Sequence, residues 1–247
     1  MRVVTSPSCA VIGPGRAGRS FAAALLSVGY QIRVLGRDDD YGNVASDTDI
    51  VLVCVPDAAV AEVARSLSPG LAVVAHTSGS LGLDALSPHT RVGAIHPLAS
   101  LPDATIGQAR LLSRCTFAID GHELMGRLVD ALGGIAVRVA DEQRPLYHAT
   151  ATVAANHLVT LCGQVERMSA LAGVPADAYW RLMSTTLENV RGVGASSALT
   201  GPAARSDWET IRRHLDAIKN PADRLLYLEL ARHTADLAGN NWPEELT

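Results

Sequence analysis

Three glycines near the start of the chain have the spacing of an anion-binding loop. The stretch Gly13-Pro14-Gly15-Arg16-Ala17-Gly18 fits the pattern Gly-x-Gly-x-x-Gly. In that pattern the first glycine permits a tight turn and the second lets a pyrophosphate approach the backbone. The third lets the following helix pack closely on the preceding strand, and the free N–H groups at the start of that helix bind the anion. A glycine turn without a ligand is the alternative, because the pattern alone is weak.

The residues around this loop supply the context that the pattern needs. A short apolar strand is predicted over residues 8–13 and a second strand over Gln31–Leu35. Between them a helix is predicted over residues 16–28, because its apolar side chains recur at helical spacing on one face. A strand, a glycine loop and an amphipathic helix in this order predict a dinucleotide-binding unit.

The residues after the second strand bear on the choice between NAD and NADP. An acidic residue there binds the ribose hydroxyls of NAD, whereas an arginine accommodates the 2′-phosphate of NADP. The chain has Arg37 directly after Gly36, and its aspartates follow only at positions 38 to 40. We therefore predict NADP (NADPH), with Arg37 on the phosphate and Arg16 as a second cation. Two alternatives stay open: an aspartate that reaches the ribose, and Arg37 as a solvated loop charge.

A nearly all-apolar strand is predicted over residues 49–55, and it ends at Val55-Pro56-Asp57. Such continuous hydrophobicity is typical of a parallel strand that is covered on both faces. Ligands of these sheets bind at the carboxyl ends of strands, so the backbone of Val55 and Pro56 is predicted to line the cofactor path. Asp57 is predicted to be the N-cap of a helix over residues 58–66 rather than a catalytic acid.

The order of elements along the chain indicates the fold class. Further strands are predicted over residues 71–76, 91–96, 116–119 and 136–139, and their alternation with helices predicts a parallel, doubly wound sheet. The later residues are helical, with helices predicted over 143–172, 176–190, 207–218 and 221–238 and a glycine- and serine-rich loop over 192–205. We predict an α/β fold: a doubly wound Rossmann domain over residues 1–140, followed by an all-helical domain over residues 141–247.

The chain resembles the 6-phosphogluconate dehydrogenase-like superfamily, and more closely a branch of Rossmann-like proteins whose C-terminal helical domain has no known function. The resemblance is carried by residues 11–18, 53–57, 76–79, 96–98, 147–149 with Asn156 and His157, and 199–202 with Arg205 and Asp207. It implies hydride transfer to or from a nicotinamide, in a cleft between the two domains. It also implies a homodimer formed through the helical domains.

One residue of the wider superfamily is missing from this chain. β-Hydroxyacid dehydrogenases and ketopantoate reductases of the superfamily carry a catalytic lysine, with an asparagine one turn later on the first long helix. If that asparagine matches Asn156, Thr152 stands at the lysine position, and the only lysine of the chain is Lys219. The usual proton donor is therefore absent.

Histidine is the natural substitute for that lysine, because its pKa lies near neutral. His148 precedes Asn156 by two helical turns, so the two side chains share a face. We predict His148 to be a general acid and Asn156 to orient the substrate or the nicotinamide amide. Packing of His148 at the domain junction is the alternative.

Three further groups are candidates for the same cleft. His96 follows an apolar strand and is the second candidate for an acid or substrate ligand. Thr77, Ser78 and Gly79 also follow a strand and are predicted to bind substrate or cofactor, with an ordinary turn as the alternative. Arg205 lies on a loop and is predicted to bind a substrate carboxylate, with a surface pair to Asp207 as the alternative. No histidine spacing or cysteine cluster indicates a metal site.

These predictions favour an NADP-dependent oxidoreductase that acts on a small carboxylate-bearing keto or imino substrate. Reduction of ketopantoate or of pyrroline carboxylate is the nearest analogy. The missing lysine supports a second hypothesis, a non-catalytic NADP-binding sensor or regulatory protein. An enzyme for which NADP is only a structural cofactor is a third hypothesis.

Bulk composition excludes other classes of function. The chain has 247 residues and a net charge of −4, so no basic surface favours nucleic acid or anionic lipid. No apolar run reaches the ~20 residues of a membrane span. The four cysteines are far apart and are predicted to be buried, reduced thiols. With no signal-peptide pattern at the N-terminus, these features predict a cytoplasmic protein.

Overall fold

The structure is a computed structural model that describes residues 6–246. The chain divides between Asn156 and His157 into two compact units. The first unit alternates strands and helices: β1 (Ser8–Ile12), α1 (Arg16–Ser27), β2 (Gln31–Leu35), α2 (Val44–Asp47), β3 (Ile50–Val53), α3 (Asp57–Ser66), β4 (Val73–His76), β5 (Val92–Pro97), α4 (Ala104–Leu112), β6 (Thr116–Gly121), α5 (Leu124–Ala131), β7 (Ile135–Arg138) and α6 (Arg144–Thr152).

The seven strands form one sheet in the order β2-β1-β3-β4-β5-β6-β7. Neighbouring strands are parallel except for β5 and β6, which are antiparallel. The prediction of a wholly parallel sheet is therefore wrong at this pair. The backbone N–H of Leu98, just after β5, donates to the carbonyl of Thr116, the first residue of β6, at 2.8 Å. The connection that contains α4 therefore leaves and re-enters the sheet at the same end of the strands. Because α4 does not carry the chain across the sheet, β6 must run back along β5.

Both faces of the sheet are covered by apolar side chains. Successive residues of a strand point to opposite faces, and in β1 Cys9 and Val11 belong to one buried cluster whereas Ala10 and Ile12 belong to the other. Helices α1 and α5 contribute to the first cluster and α3 to the second. Burial on both faces explains why β1 and β3 are continuous apolar runs, and it confirms the prediction of a doubly wound Rossmann domain.

The second unit is helical. It contains α7 (Leu158–Ala172), α8 (Ala176–Val193), α9 (Ala195–Ala198), α10 (Trp208–Ala217) and α11 (Pro221–Leu237). Residues Val153–His157, between α6 and α7, form a π-helical turn, so the stretch predicted as one helix over 143–172 contains a change of helix type. The predicted loop over 192–205 contains α9 and a short 3-10 turn over Ala203–Arg205. The α/β domain followed by helices is confirmed.

Within residues 6–246, no helix combines the length and the apolar character needed to cross a membrane.

Candidate functional site

The three glycines of the loop after β1 have different physical roles. A side chain at Gly13, whose φ is +102°, would approach the Cys54 carbonyl oxygen to 2.7 Å, and a side chain at Gly18 would collide with the Gly13 carbonyl. A side chain at Gly15 would meet no atom within 4 Å. Packing therefore explains the first and third glycines, whereas the open space at Gly15 is the feature that a bound phosphate would use.

The start of α1 is suited to an anion. Gly15 occupies the N-cap position without a side-chain hydrogen bond, and the first turn contains no acidic residue. The first N–H groups of an α-helix have no partner inside the helix, and the helix dipole adds a partial positive charge there. Arg16, the first residue of the helix, is exposed beside these groups.

The turn after β2 engages two of its three aspartates. The Gly36 N–H donates to Oδ2 of Asp39 at 2.7 Å, and the Gly42 N–H donates to Oδ1 of Asp40 at 3.0 Å. A side chain built on Gly36 would lie 3.7 Å from Cγ of Pro14, so this turn lies beside the glycine loop. Arg37 is exposed next to Gly36, at the place where a 2′-phosphate would be bound.

A cleft of about 800 Å³ in the first unit starts at Gly15, Arg16 and Ala17 and passes the ends of β3, β4 and β5 to α6. Six other predicted site residues line it: Val55, Pro56, Thr77, His96, His148 and Asn156. Thr152, which stands in the lysine position, lines it too. The glycine loop, the ends of three strands and the helical segment that begins with α6 are therefore gathered around one space.

Two imidazole rings lie together at the α6 end of the cleft. The ring centroids of His96 and His148 are 5.9 Å apart, and the two ring planes are nearly perpendicular. A side chain at Gly79 would lie 2.7 Å from Cδ2 of His148 and 3.0 Å from Nε2 of His96. Gly79 has no left-handed φ that would demand a glycine, so the space that it leaves for the two rings is the reason for its type.

Tyr147 is a site residue to which the sequence analysis gave no role. Its hydroxyl lies 2.6 Å from Nδ1 of His96, and the two rings are perpendicular at 5.5 Å. Tyr147 is adjacent to His148 in sequence, but its partner lies 51 residues earlier. Only the packing of α6 near the end of β5 reveals the pair.

Arg144 is buried behind the histidines. Its side chain is 0% exposed, Nε lies 3.3 Å from Oδ1 of Asp141, and Nη1 lies 3.5 Å from the Ser78 carbonyl. The buried His76 ring contacts the Gly82 carbonyl through Nε2 at 3.2 Å. Among the described residues, Nη2 of Arg144 and Nδ1 of His76 have no hydrogen-bond partner. This buried cation was also missed, because a lone arginine at the start of a predicted helix carries no sequence signal of burial.

Burial and this positive charge set the protonation of His96 and His76. Burial, followed by the charges of His148 and Arg144, lowers the pKa of His96 to about 4, with Asp57 opposing the shift and His76 adding to it. Burial followed by Arg144 also lowers the pKa of His76. Burial raises the pKa of the Tyr147 phenol to about 12. At neutral pH His96 is therefore an uncharged imidazole beside a protonated phenol.

The turn after β4 is stabilised by serine hydroxyls. Oγ of Ser78 accepts hydrogen bonds from the N–H groups of Ser80 and Leu81, each at 3.1 Å, and Oγ of Ser80 donates to Oδ2 of Asp57 at 2.6 Å. The prediction of Asp57 as a helix N-cap is wrong. Pro56, in extended conformation, holds that position, so α3 begins one residue earlier than predicted. The Asp57 carboxylate instead links α3 to the turn.

Arg205 lies in the second unit, at the end of a 3-10 turn, and is exposed. The neighbouring Asp207 caps α10 by accepting a hydrogen bond from the Thr210 N–H at 3.2 Å. Hydrogen bonding to the Thr210 side chain, then this N–H bond, and then the charges of Arg213 and Arg205 lower the pKa of Asp207. Because Arg205 is exposed, its guanidinium is accessible to a carboxylate.

The described residues contain neither a cluster of potential metal ligands nor a disulfide. Between residues 6 and 246 no three His, Cys, Asp or Glu side chains are grouped as metal ligands. Cys9, Cys54, Cys115 and Cys162 are free, and the first three are buried. Burial raises the pKa of the Cys54 thiol, which lines the cleft, to about 12. It is therefore protonated at neutral pH and a poor nucleophile.

Two family models match the sequence. A model described as a Rossmann-like domain matches residues 39–102, and one described as a domain of unknown function, DUF2520, matches residues 115–234. A comparison with curated proteins gave no significant match.

Solved structures share the fold over nearly the whole chain. A Bacteroides fragilis protein proposed to be an NADP oxidoreductase is 20% identical, with 94% of this chain and 98% of that chain covered and a TM-score of 0.79. A Thermotoga maritima protein is 22% identical with the same coverage and a TM-score of 0.70. Pyrroline carboxylate reductase of Plasmodium falciparum with NADP bound is 10% identical, with 94% and 98% covered and a TM-score of 0.60.

Proposed function

We propose that this chain, which joins a Rossmann-like domain to a DUF2520 domain, is an NADP-dependent oxidoreductase for a small carboxylate-bearing keto or imino substrate. The observation that carries the proposal is that one cleft is lined both by the open glycine loop and by His96, His148, Thr152 and Asn156. We assign cofactor binding to residues 1–140, and substrate binding and dimerisation to residues 141–247.

The glycine loop and the turn after β2 are the residues that would hold the cofactor. The open backbone at Gly15 and the N–H groups at the start of α1 suit a pyrophosphate. Arg37 and Arg16 are the cations for a 2′-phosphate, and Asp39 is already bonded to the Gly36 amide. The NADP-bound reductase with the same fold is in line with this choice. When bound, NADPH supplies a hydride.

The residues at the other end of the cleft are suited to the proton that reduction requires. When the substrate carbon accepts a hydride, the π-electron pair moves to the oxygen or nitrogen, and that atom takes up a proton. We assign the proton to His148 and the orientation of the substrate to Asn156, with Thr152 between them on α6. Thr77 lines the same cleft from the end of β4 and serves as a substrate contact, whereas Ser78 and Gly79 shape the turn behind it.

We assign the substrate carboxylate to Arg205, whose guanidinium is suited to bidentate binding. In support of a homodimer formed through the helical domain, α8 has no buried residue and exposes Leu182, Leu187 and Val193. We assign the protein to the cytoplasm, because its four cysteines are free.

A non-catalytic NADP sensor is the second candidate function. The observation in its favour is that Thr152, rather than a lysine, lines the cleft at the position where the superfamily places its proton donor. The cluster of His96, His148 and Asn156 argues against it, because a sensor needs no such groups beside the nicotinamide.

The first experiment separates the two functions. The purified protein is titrated with NADPH and with NADH by thermal shift, and NADPH absorbance is then followed with a panel of 2-keto acids and cyclic imines. We expect preferential stabilisation by NADPH and turnover of at least one carboxylate-bearing member of the panel. Tight NADPH binding without turnover of any member would establish the sensor instead.

Two variants test the assigned residues. We expect His148→Ala to lose turnover with NADPH binding unchanged, which separates a catalytic from a binding role. We expect Arg37→Ala to lose the preference for NADPH over NADH, whereas Arg33→Ala, on β2, retains it. An intact preference in Arg37→Ala would show that another residue binds the 2′-phosphate.

A further inference from the structure

His96 and Tyr147 form a short polar contact at the cleft. The Tyr147 hydroxyl lies 2.6 Å from Nδ1 of His96, within the range of a strong hydrogen bond. A neutral imidazole has one donor and one acceptor nitrogen, so the direction of this bond determines which nitrogen carries the proton. If Nδ1 accepts from the phenol, Nε2 is a donor to the substrate, and if Nδ1 donates, Nε2 is an acceptor.

The surroundings of the pair favour one direction. Within the described residues, the Tyr147 hydroxyl has one hydrogen-bond partner, Nδ1 of His96. If Nδ1 carried the proton and donated it, the phenol proton would need a second acceptor. If the phenol donates, its proton and the Nδ1 lone pair satisfy each other, and the proton of His96 resides on Nε2, where a ligand can accept it.

The Nε2 edge of His96 is kept clear by Gly79. A side chain at position 79 would lie 3.0 Å from both Nε2 and Cε1 of His96. The charged and titratable groups that act on the ring are His148 and Arg144 on α6, His76 at the end of β4, and Asp57 at the start of α3. Burial of the ring, followed by the net effect of these groups, keeps it uncharged at neutral pH.

We propose that the Tyr147 hydroxyl donates to Nδ1 of His96 and thereby holds His96 in the tautomer whose Nε2–H donates a hydrogen bond to the carbonyl oxygen or imine nitrogen of the substrate. Tyr147 is the positioning residue and His96 the group that touches the substrate. The identity of the acceptor rests on the proposed function, but the tautomer does not. A neutral donor polarises the C=O or C=N bond while His148 delivers the proton.

The tautomer is measured directly by ¹⁵N–¹H correlation spectra of the imidazole rings, with His96 assigned by its loss in His96→Gln. We expect the wild-type His96 signals to show protonated Nε2 and unprotonated Nδ1 at neutral pH. Signals of a protonated Nδ1, or of two tautomers in rapid exchange, would overturn the proposal. The wild-type spectrum decides this point even if a variant does not fold.

The role of Tyr147 is then tested by Tyr147→Phe, with Tyr227→Phe as the matched control. We expect Tyr147→Phe to give a mixture of His96 tautomers and to lower kcat on the order of tenfold with NADPH affinity unchanged. Tyr227→Phe should leave both unchanged. An unaltered His96 tautomer in Tyr147→Phe would show that another group positions the ring. A wild-type protein without turnover would contradict the proposed function, while its spectrum would still decide the tautomer.

Discussion

The two units each contain a histidine–tyrosine pair of nearly identical geometry. In the first unit, Nδ1 of His96 lies 2.6 Å from the Tyr147 hydroxyl, with ring centroids at 5.5 Å and an interplanar angle of 89°. In the second unit, Nδ1 of His214 lies 2.6 Å from the Tyr227 hydroxyl, with centroids at 5.7 Å and 82°. Hydrogen-bond geometry alone does not distinguish them.

The surroundings of the two pairs differ. His96 is partly buried at the end of β5, with His148 and the buried Arg144 acting on its ring, and it lines the cleft that begins at the glycine loop. His214 is exposed on α10. The first ring is held neutral beside a space for a ligand, whereas the second joins two helices. Placement rather than the pair itself therefore makes His96 a candidate for chemistry.

The largest expected difference between the pairs is catalytic. We expect His96→Leu to lower kcat on the order of 10²–10³-fold, as for the loss of a donor to a developing negative charge. His214→Leu should retain kcat within about twofold, because its pair has no place in the cleft. The measurement is steady-state NADPH oxidation with the best substrate of the panel. Equal activity of the two variants would refute the distinction.

Two glycines, one in each unit, should respond to substitution in opposite directions. Gly79→Ala places a methyl group against His148 and His96, and we expect a loss of roughly 1–3 kcal/mol in the free energy of unfolding, together with lower turnover. Gly192→Ala, on α8, meets no atom within 4 Å and should gain about 0.5 kcal/mol. Urea denaturation measures both. A Gly79→Ala protein as stable as the wild type would show that the rings rearrange freely.

The buried histidine should also make stability depend on pH. The pKa of His96 is about 4 in the fold and about 6.5 when unfolded, so between these values the unfolded chain binds more protons. The stabilisation is present above pH 6.5 and is lost as the pH falls through 4. We expect His96→Gln to remove roughly 1–2 kcal/mol of the wild-type decrease between pH 6.5 and 4, a value reduced for solvent screening at the cleft. Tyr227→Phe should retain the wild-type slope.

If His96→Gln kept the wild-type dependence of the free energy of unfolding on pH, that dependence would originate from another group. His76 is the other histidine whose pKa burial lowers, so it contributes in the same direction. His76→Gln in the same pH series then assigns the remainder.

The sequence predicted the local features well. The strand Gln31–Leu35 has the predicted bounds, Gly13 has the positive φ of the expected tight turn, and Gly18 allows the expected close packing of helix on strand. Local periodicity and glycine spacing carry this information because they depend on neighbours in the chain. The antiparallel β6 was missed, because the direction of a strand depends on where its connection ends rather than on its own residues.

Contacts distant in sequence account for the missing half of the candidate site. His96 and His148 were singled out by residue type. Nothing in the sequence indicated that Tyr147, Arg144 and Gly79 are the residues that support the two rings. Each support acts across at least 17 residues, as between Gly79 and His96. One sequence carries no signal for such pairs, and the second histidine–tyrosine pair shows that residue type alone would also select His214.

The smallest expected difference concerns the energy of the two hydrogen bonds. In the double-mutant cycle of His96→Gln with Tyr147→Phe we expect a coupling energy of about 1 kcal/mol. In the cycle of His214→Gln with Tyr227→Phe we expect a coupling energy below about 0.5 kcal/mol. The first bond is partly buried and the second is exposed, so water competes for the second pair alone. Urea denaturation of the seven proteins, the wild type and three variants in each cycle, gives both values. A stronger coupling in the exposed pair would mean that burial does not determine which hydrogen bond matters, and the comparison would fail.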